Sequence, residues 1–397
     1  MKITLISNLY EPYSRGGAEI IVKRTARELV AQGHQVSIIS ARPWSGFDSL
    51  GPEAEEVDRI NVIRFYPLNL FFYANDFKWP LPFRLIWLFF DLFNFHSSNL
   101  IKDILQAEKP DLVITHNLMG LGYFVPGVIS RLGIKHIHVL HDIQLAVRSG
   151  LMKKGQEKAW FVSGPIARIY QKIVKALFGS PDIVISPSKF LLDFYTKQDY
   201  FPESKKEVLA NPIDSKFLAY QLKESQEIDK KTVKFGVVGQ LAGHKGFLTV
   251  KTALEGLTDA NIELHIVGDG PLKTQVQEWA DQQDQVTYHG RIANEELPDF
   301  YYQMDAIIVP TETYENSPTV VYESLATGTP LIVSDIGGAA EAIKENENGM
   351  TFEPGNSDQL IEKIKTMIVH HGEMREHCRE SVKGMGSGEY VQELMSL

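Results

Sequence analysis

The chain of 397 residues predicts an α/β protein built from two doubly wound, Rossmann-like domains. Three observations carry that expectation. The length exceeds what one hydrophobic core usually serves. Strand-length apolar runs rich in Val, Ile and Leu recur throughout with helix-length segments between them, the pattern of parallel sheets covered on both faces. A polar joint divides the runs into two sets: Asn211-Pro212-Ile213-Asp214 is a turn signal, and residues 221–231 are charged and poor in apolar side chains.

In the first half, strands are expected at 3–7, 36–40, 62–65, 112–115, 136–140 and 183–186. After the first comes a helix at 18–32, where Ala18, Ile21, Val22, Ala26, Leu29 and Val30 share one stripe and Gly33 ends it. In the second half, strands are expected at 234–238, 263–267, 286–288, 306–309 and 331–334. Pro318 reads as the first position of a helix that Gly328 closes, with Glu323 about two turns inside it. The domains are then 1–210 and 211–375, and a tail, 376–397, returns to the first domain. Gly384, Gly386 and Gly388 weigh against a regular helix in that tail.

Composition narrows the function. A net charge of -10 lacks the basic footprint of a nucleic-acid binder. One cysteine, Cys378, excludes an internal disulfide framework and suits a reducing, cytoplasmic setting. Residues 1–8 do not read as a secretory signal, because their apolar run is only 3–6 and Glu11 and Arg15 follow at once. Residues 81–95, LPFRLIWLFFDLFNF, are too interrupted by Arg84 and Asp91 to span a bilayer. They fit either a helix buried in the N-terminal half or an apolar surface on the acceptor side that meets the inner membrane face or a lipid tail.

The chemistry-bearing residues cluster after strands. Glu315 falls in a loop at the carboxyl end of the strand 306–309, and Glu323 lies on the following helix. Between them stand the free N–H groups of the helix start, including those of Thr319 and Val320, which suit a phosphate. A carboxylate for hydroxyls beside amides for phosphate fits a nucleotide-sugar; two solvated glutamates are the plain alternative. Gly16-Gly17 opens the first long helix and permits close approach of an anion, or forms a structural turn. The stretch 239–246, GQLAGHKG, follows a strand and places Lys245 where ligands of open α/β sheets bind. Neither turn fits a dinucleotide fingerprint or a P-loop. Gly268-Asp269-Gly270-Pro271 reads as a strand-to-helix turn. His116, His136, His138 and His141 lie near one another in the first half, but strand spacing does not converge them on a metal.

Gly16-Gly17-Ala18-Glu19, Gly239 through Gly246, Val267-Gly268-Asp269-Gly270, Glu315 and Glu323 with seven residues between them and Gly328-Thr329-Pro330 after them, and Asn348-Gly349 occur in one order. Together they resemble the retaining, nucleotide-sugar-dependent glycosyltransferases of family four. That resemblance implies a GT-B fold, two Rossmann-like domains facing a cleft where the chemistry occurs. It also implies residue roles. Glu315 meets the donor sugar hydroxyls; N–H groups from Asn316 and Ser317 through Thr319 and Val320 hold the diphosphate or sugar; Glu323 binds the ribose. Lys245 neutralises the leaving diphosphate, Gly16 and Gly17 cover it from the other domain, and His141 stands near the acceptor. Where the family pattern carries arginine this chain has Gln240, which leaves the charge to Lys245 or to a substitute such as Arg291. No Asp-any-Asp triplet is present, so metal-independent transfer without a cofactor is expected. The expected partners are a nucleotide-diphosphate sugar and a saccharide or lipid-linked acceptor. An epimerase or sugar phosphorylase on this fold needs ring acids and bases or a Schiff-base lysine, and neither set stands out. A non-catalytic nucleotide-sugar-binding protein is opposed by Lys245, Glu315 and Glu323 and favoured only by Gln240.

Overall fold

The structure, a computed structural model, describes residues 1–220, 232–257 and 261–397, so the expected polar stretch 221–231 lies outside the described residues. Among the described residues fourteen strands form two sheets, one in each of two compact units.

The first unit comprises Met1–Gly150, Lys158–Pro212 and Ser387–Leu397. Its strands are β1 (Lys2–Ile6), β2 (Gln35–Ala41), β3 (Glu53–Val57), β4 (Ile60–Phe65), β5 (Leu112–Thr115), β6 (Lys135–Val139), β7 (Ile183–Ser186) and β8 (Lys205–Val208). They lie in the order β3-β4-β2-β1-β5-β6-β7-β8, with β3 antiparallel to β4 and the other neighbours parallel. The second unit comprises Leu151–Glu157 and Ile213–Gly386. It holds β9 (Val233–Val238), β10 (Ile262–Val267), β11 (Val286–Gly290), β12 (Ala306–Val309), β13 (Leu331–Ser334) and β14 (Gly349–Phe352), all parallel, in the order β11-β10-β9-β12-β13-β14. In each sheet the winding reverses once, between β1 and β5 and between β9 and β12. At such a reversal the loops leaving two neighbouring strands diverge and open a crevice.

All the expected strands form, with ends shifted by a residue or two. The three unforeseen strands, β3, β8 and β14, are each at a sheet edge. An edge strand needs no continuous apolar run: β3 reads EAEEV with its first four side chains exposed, and β8 reads KKEV.

The helix expected at 18–32 spans Gly17–Ala31, buries Ile21, and packs Val22, Ala26 and Leu29 against β1 and its neighbours. Gly33 ends it with φ +85°. The helix after β12 spans Thr319–Ala326, one residue later than expected. Pro318 has ψ 124°, extended rather than helical, so it caps the helix from outside and Glu323 lies about one turn inside, not two.

Residues 81–95 do not form a buried helix. They split into Leu81–Leu92 and the first residue of Phe95–Glu108, and the former buries only Trp87, Asp91 and Leu92.

The units divide differently from the expected 1–210, 211–375 and 376–397. Residues 151–157 join the second unit through a bridge between Lys153 and Thr313 and a bond from Tyr314 N to Met152 O of 2.9 Å. The helix Ser357–Cys378 and the turn after it stay there too: Cys378 is fully buried and Arg379 Nε donates to Ala326 O at 2.9 Å. Only Ser387–Ser396 packs on the first unit, a regular helix despite Gly388, with Tyr390, Val391 and Leu394 seated among Val22, Ala26 and Leu29.

Asp91 is fully buried and both its oxygens face Gly120 N, at 2.9 and 3.0 Å. Burial pushes its carboxyl up to about 8, against the partial counter-effect of that N–H. The folded chain therefore holds a proton that the unfolded chain releases near pH 4, so this group's stabilising contribution is full below about pH 4 and lost as pH rises toward 8. Asp91→Asn keeps a hydrogen-bond acceptor but cannot ionise. Its melting temperature should fall less than that of the parent chain between pH 5 and pH 8; equal falls would show that Asp91 does not titrate in this window.

Candidate functional site

At the reversal in the second sheet the loop leaving β9 carries Lys245 and the loop leaving β12 carries Glu315. Their side chains meet, Lys245 Nζ to Glu315 Oε1 at 2.7 Å, both partly solvent-exposed. Three close backbone approaches hold the pair there. The β9 loop is tied to the turn after β10, Leu241 N donating to Asp269 O at 3.0 Å and Leu272 N to Leu241 O at 2.9 Å. Gly246, at φ +74°, passes so near Pro310 that a Cβ would collide with its carbonyl oxygen. Gly337, at φ +64°, lies so close to Glu315 that a Cβ there would also collide with its carbonyl oxygen, and Gly338 N donates to that oxygen at 2.7 Å. Glu312 adds a brace, its N–H donating to His244 O at 3.0 Å while its carboxylate meets Lys153 at 2.9 Å.

Glu323 is buried and accepts from the hydroxyl of fully buried Tyr301 at 3.2 Å. Burial first, and the neighbouring carboxylate next, push the Tyr301 hydroxyl far up, so it remains a donor. Asn316, Ser317, Thr319 and Val320 lead into the helix whose first N–H groups have no partner within it. Gln240 is exposed on the β9 loop. Arg291 is exposed just past β11, two strands from β9 and about 10 Å across the sheet. The structure thus joins Lys245 to Glu315.

In the first unit Gly16 caps the helix Gly17–Ala31, and its N–H donates to Glu19 Oε2 at 3.0 Å. A Cβ on Gly16 or Gly17 would meet nothing within 4 Å, so the packing of this chain does not itself require glycine there. Past β5 and β6, His116 Nδ1 and His141 Nε2 share a hydrogen bond of 2.8 Å. Burial depresses His141 to about 4 and holds His116 well below the usual imidazole range, so both rings are neutral at pH 7 and one donates to the other. Beside them burial lifts Asp142 to about 6, although Gln144 N donates to it at 2.7 Å. These groups, with Asn117 and His138, line a small pocket. Thr115 Oγ1 lies between His136 Nε2 and His138 Nδ1, at 2.7 and 2.8 Å. Among the described residues no cluster of His, Cys, Asp and Glu is arranged to hold a metal ion.

Gly337, Gly338, Glu312 and Tyr301 are absent from the sequence-based set. A glycine pair separated from β13 by two residues was a readable signal for the first two; the others depend on contacts between distant segments.

The family model described as Glycosyltransferase Family 4 matches residues 15–217, and that described as Glycosyl transferases group 1 matches residues 220–385. An uncharacterized glycosyltransferase of Methanocaldococcus jannaschii is 26% identical over 398 aligned residues, covering 96% of this chain and 93% of that one. A putative teichuronic acid biosynthesis glycosyltransferase of Bacillus subtilis is 24% identical, covering 92% and 88%. The crystal structure of Anabaena HepE in complex with UDP superposes with a TM-score of 0.70 at 17% identity, covering 100% of this chain and 99% of that one.

The glycine and the ion pair should separate in a stability measurement. Gly337→Ala forces a side chain into positive φ against the Glu315 backbone and should cost more than about 1 kcal/mol in chemical denaturation. Lys245→Ala breaks a partly exposed pair and should cost under about 1 kcal/mol. A Lys245→Ala loss as large as that of Gly337→Ala would mark the pair as structural.

Proposed function

Because the chain belongs to glycosyltransferase family 4 and has the two-domain GT-B fold, we propose that it is a retaining, metal-independent enzyme. It moves a sugar from a nucleotide-diphosphate sugar to an acceptor hydroxyl in cell-surface polysaccharide or glycolipid synthesis. The observation that carries this reading is the Lys245–Glu315 pair at the reversal of the second sheet. The teichuronic acid relative and the UDP-bearing neighbour support the pathway class and the donor class.

In this reading Lys245 is the fixed cation on the leaving diphosphate, and the N–H groups from Asn316 to Val320 supply further positive dipoles. Glu315, held in place by the Gly337-Gly338 backbone, accepts hydroxyls of the donor sugar beside the reacting carbon. Glu323, kept ready by Tyr301, accepts the ribose hydroxyls. Gln240 adds a neutral hydrogen bond where an arginine would add charge, and Arg291 is the substitute cation for the phosphates. In the first unit neutral His141 orients a sugar hydroxyl without acting as an acid. The bond from the anomeric carbon to the phosphate oxygen breaks as the acceptor oxygen bonds to the same face, and the acceptor proton leaves with the diphosphate. No covalent nucleophile and no metal clamp enter. Cys378, the lone cysteine, suits a cytoplasmic setting.

Transfer and donor hydrolysis, assayed with UDP-, GDP- and ADP-sugars, test the proposal. Glu315→Gln, nearly isosteric, should cut kcat strongly while leaving the melting temperature unchanged, and Glu323→Ala should act mainly through KM. Lys245→Ala removes a charge-assisted bond worth about 2–3 kcal/mol, so transfer should slow roughly a hundredfold. Activity should persist after exhaustive chelation, and the product should keep the donor's anomeric configuration by NMR. Near-normal turnover in Glu315→Gln, metal-restored activity or an inverted anomer would each overturn the corresponding part.

A further inference from the structure

The helix Leu81–Leu92 turns its apolar residues outward. Phe83 is 50% exposed and Phe89 61%, with Leu85, Ile86 and Phe90 beside them. A second exposed stretch in the same unit includes Trp160 at 74%, then Ile166 at 73% and Ile169 on the helix Pro165–Phe178. The two stretches flank Arg148, whose guanidinium donates to Arg84 O at 3.1 Å and faces Tyr170 electrostatically. Single exposed apolar side chains are ordinary; two adjoining runs of them are not.

The charge around these runs says what covers them. Residues 158–178 carry Lys158, Arg168, Lys172 and Lys175 and no acidic residue, in a chain of net charge -10. Residues 77–95 carry Lys78 and Arg84, and their one acidic residue is the fully buried Asp91. Arg84 also meets Asp76, at 3.5 Å. Exposed aromatics and aliphatics mixed with cations match an anionic lipid surface. The helix has 12 residues, and among the described residues no helix is long and apolar enough to cross a membrane, so the contact is interfacial. The apolar helix is also latched to the pocket loop. Asp91 holds Gly120, and Gly122, at φ +92°, packs on Asn94 and on the Asp91 carbonyl. Leu118 and Tyr123, on either side of those glycines, line the pocket of His116 and His141.

We propose that the first unit docks on an anionic membrane surface through these two stretches, so that the acceptor it receives is membrane-borne. The second clause rests on the acceptor role proposed above; the docking itself does not.

Flotation of the full chain with vesicles tests the docking without any donor. Vesicles of phosphatidylcholine containing one part in about three of phosphatidylglycerol should carry the protein at low salt and release it at high salt. Tryptophan emission should shift to the blue as Trp160 and Trp79 leave water. Phe83→Ser with Phe89→Ser should weaken binding at least about tenfold. Arg168→Gln with Lys172→Gln should weaken it roughly 25-fold, about fivefold per charge. Both double variants replace exposed side chains and should melt within a few degrees of the parent. No binding to the anionic vesicles, or binding that neither variant weakens, would overturn the proposal. So would a dimer in sedimentation that dissolves in Phe83→Ser with Phe89→Ser. Since no donor is present, these failures leave the glycosyltransferase reading untouched, and a catalytic failure leaves the vesicle result standing.

Discussion

The contact between Lys245 and Glu315 depends on one feature of topology. Seventy residues separate the two in sequence, yet β9 and β12 are neighbours because the second sheet reverses its winding between them. Loops leaving adjacent strands toward opposite faces of a sheet create a crevice, and only groups on those loops reach its centre. A lysine and a glutamate there form a local dipole, partly wet, whose cation is available to an anion without leaving its carboxylate. The glycines matter because the loops cross closer than a side chain allows. Gly246 lies against Pro310 and Gly337 against Glu315, so the position of the charges is fixed by backbone contact instead of by the ion pair itself.

The first unit solves a different problem with the same architecture. Its loops after β5 and β6 bring His116, His141 and Asp142 together, and burial favours the neutral form of each. The neutral His116–His141 pair offers directional hydrogen bonds to hydroxyls without the desolvation that a charged ring would require each time a substrate enters. Asp91 extends that logic outward: a protonated carboxyl, buried beneath an exposed apolar helix, holds the neighbouring loop without placing a charge near a nonpolar surface.

Most of the fold was legible in the sequence because central parallel strands must be apolar on both faces, which leaves runs such as IVIS at 183–186 that few other structures require. Of the strands that escaped, β3 and β8 sit at exposed edges where that demand lapses, and β14, GMTF, is buried but too short and mixed to stand out as an apolar run. Residues 81–95 were ambiguous for a related reason, since an apolar helix reads the same whether its cover is protein or something outside the chain. In the site, Lys245, Glu315 and Glu323 were legible from local grammar: a strand, a glycine-bearing loop, a helix start. Gly337 and Tyr301 were not, because their importance lies in what they touch across 20 or more residues.

The central claim is that the reversal of the second sheet is a binding site for the diphosphate of a nucleotide-sugar. Thermal melting of the full chain with UDP-, GDP- and ADP-sugars, in the presence of chelator, tests it most directly. Binding at a hundredfold excess over Kd adds about 2.7 kcal/mol of apparent stability, several degrees for domains of this size. The account predicts such a rise with at least one donor for the parent chain and its disappearance in Lys245→Ala combined with Glu323→Ala. A panel in which no donor raises the melting temperature, or a rise that survives the double substitution, would contradict it.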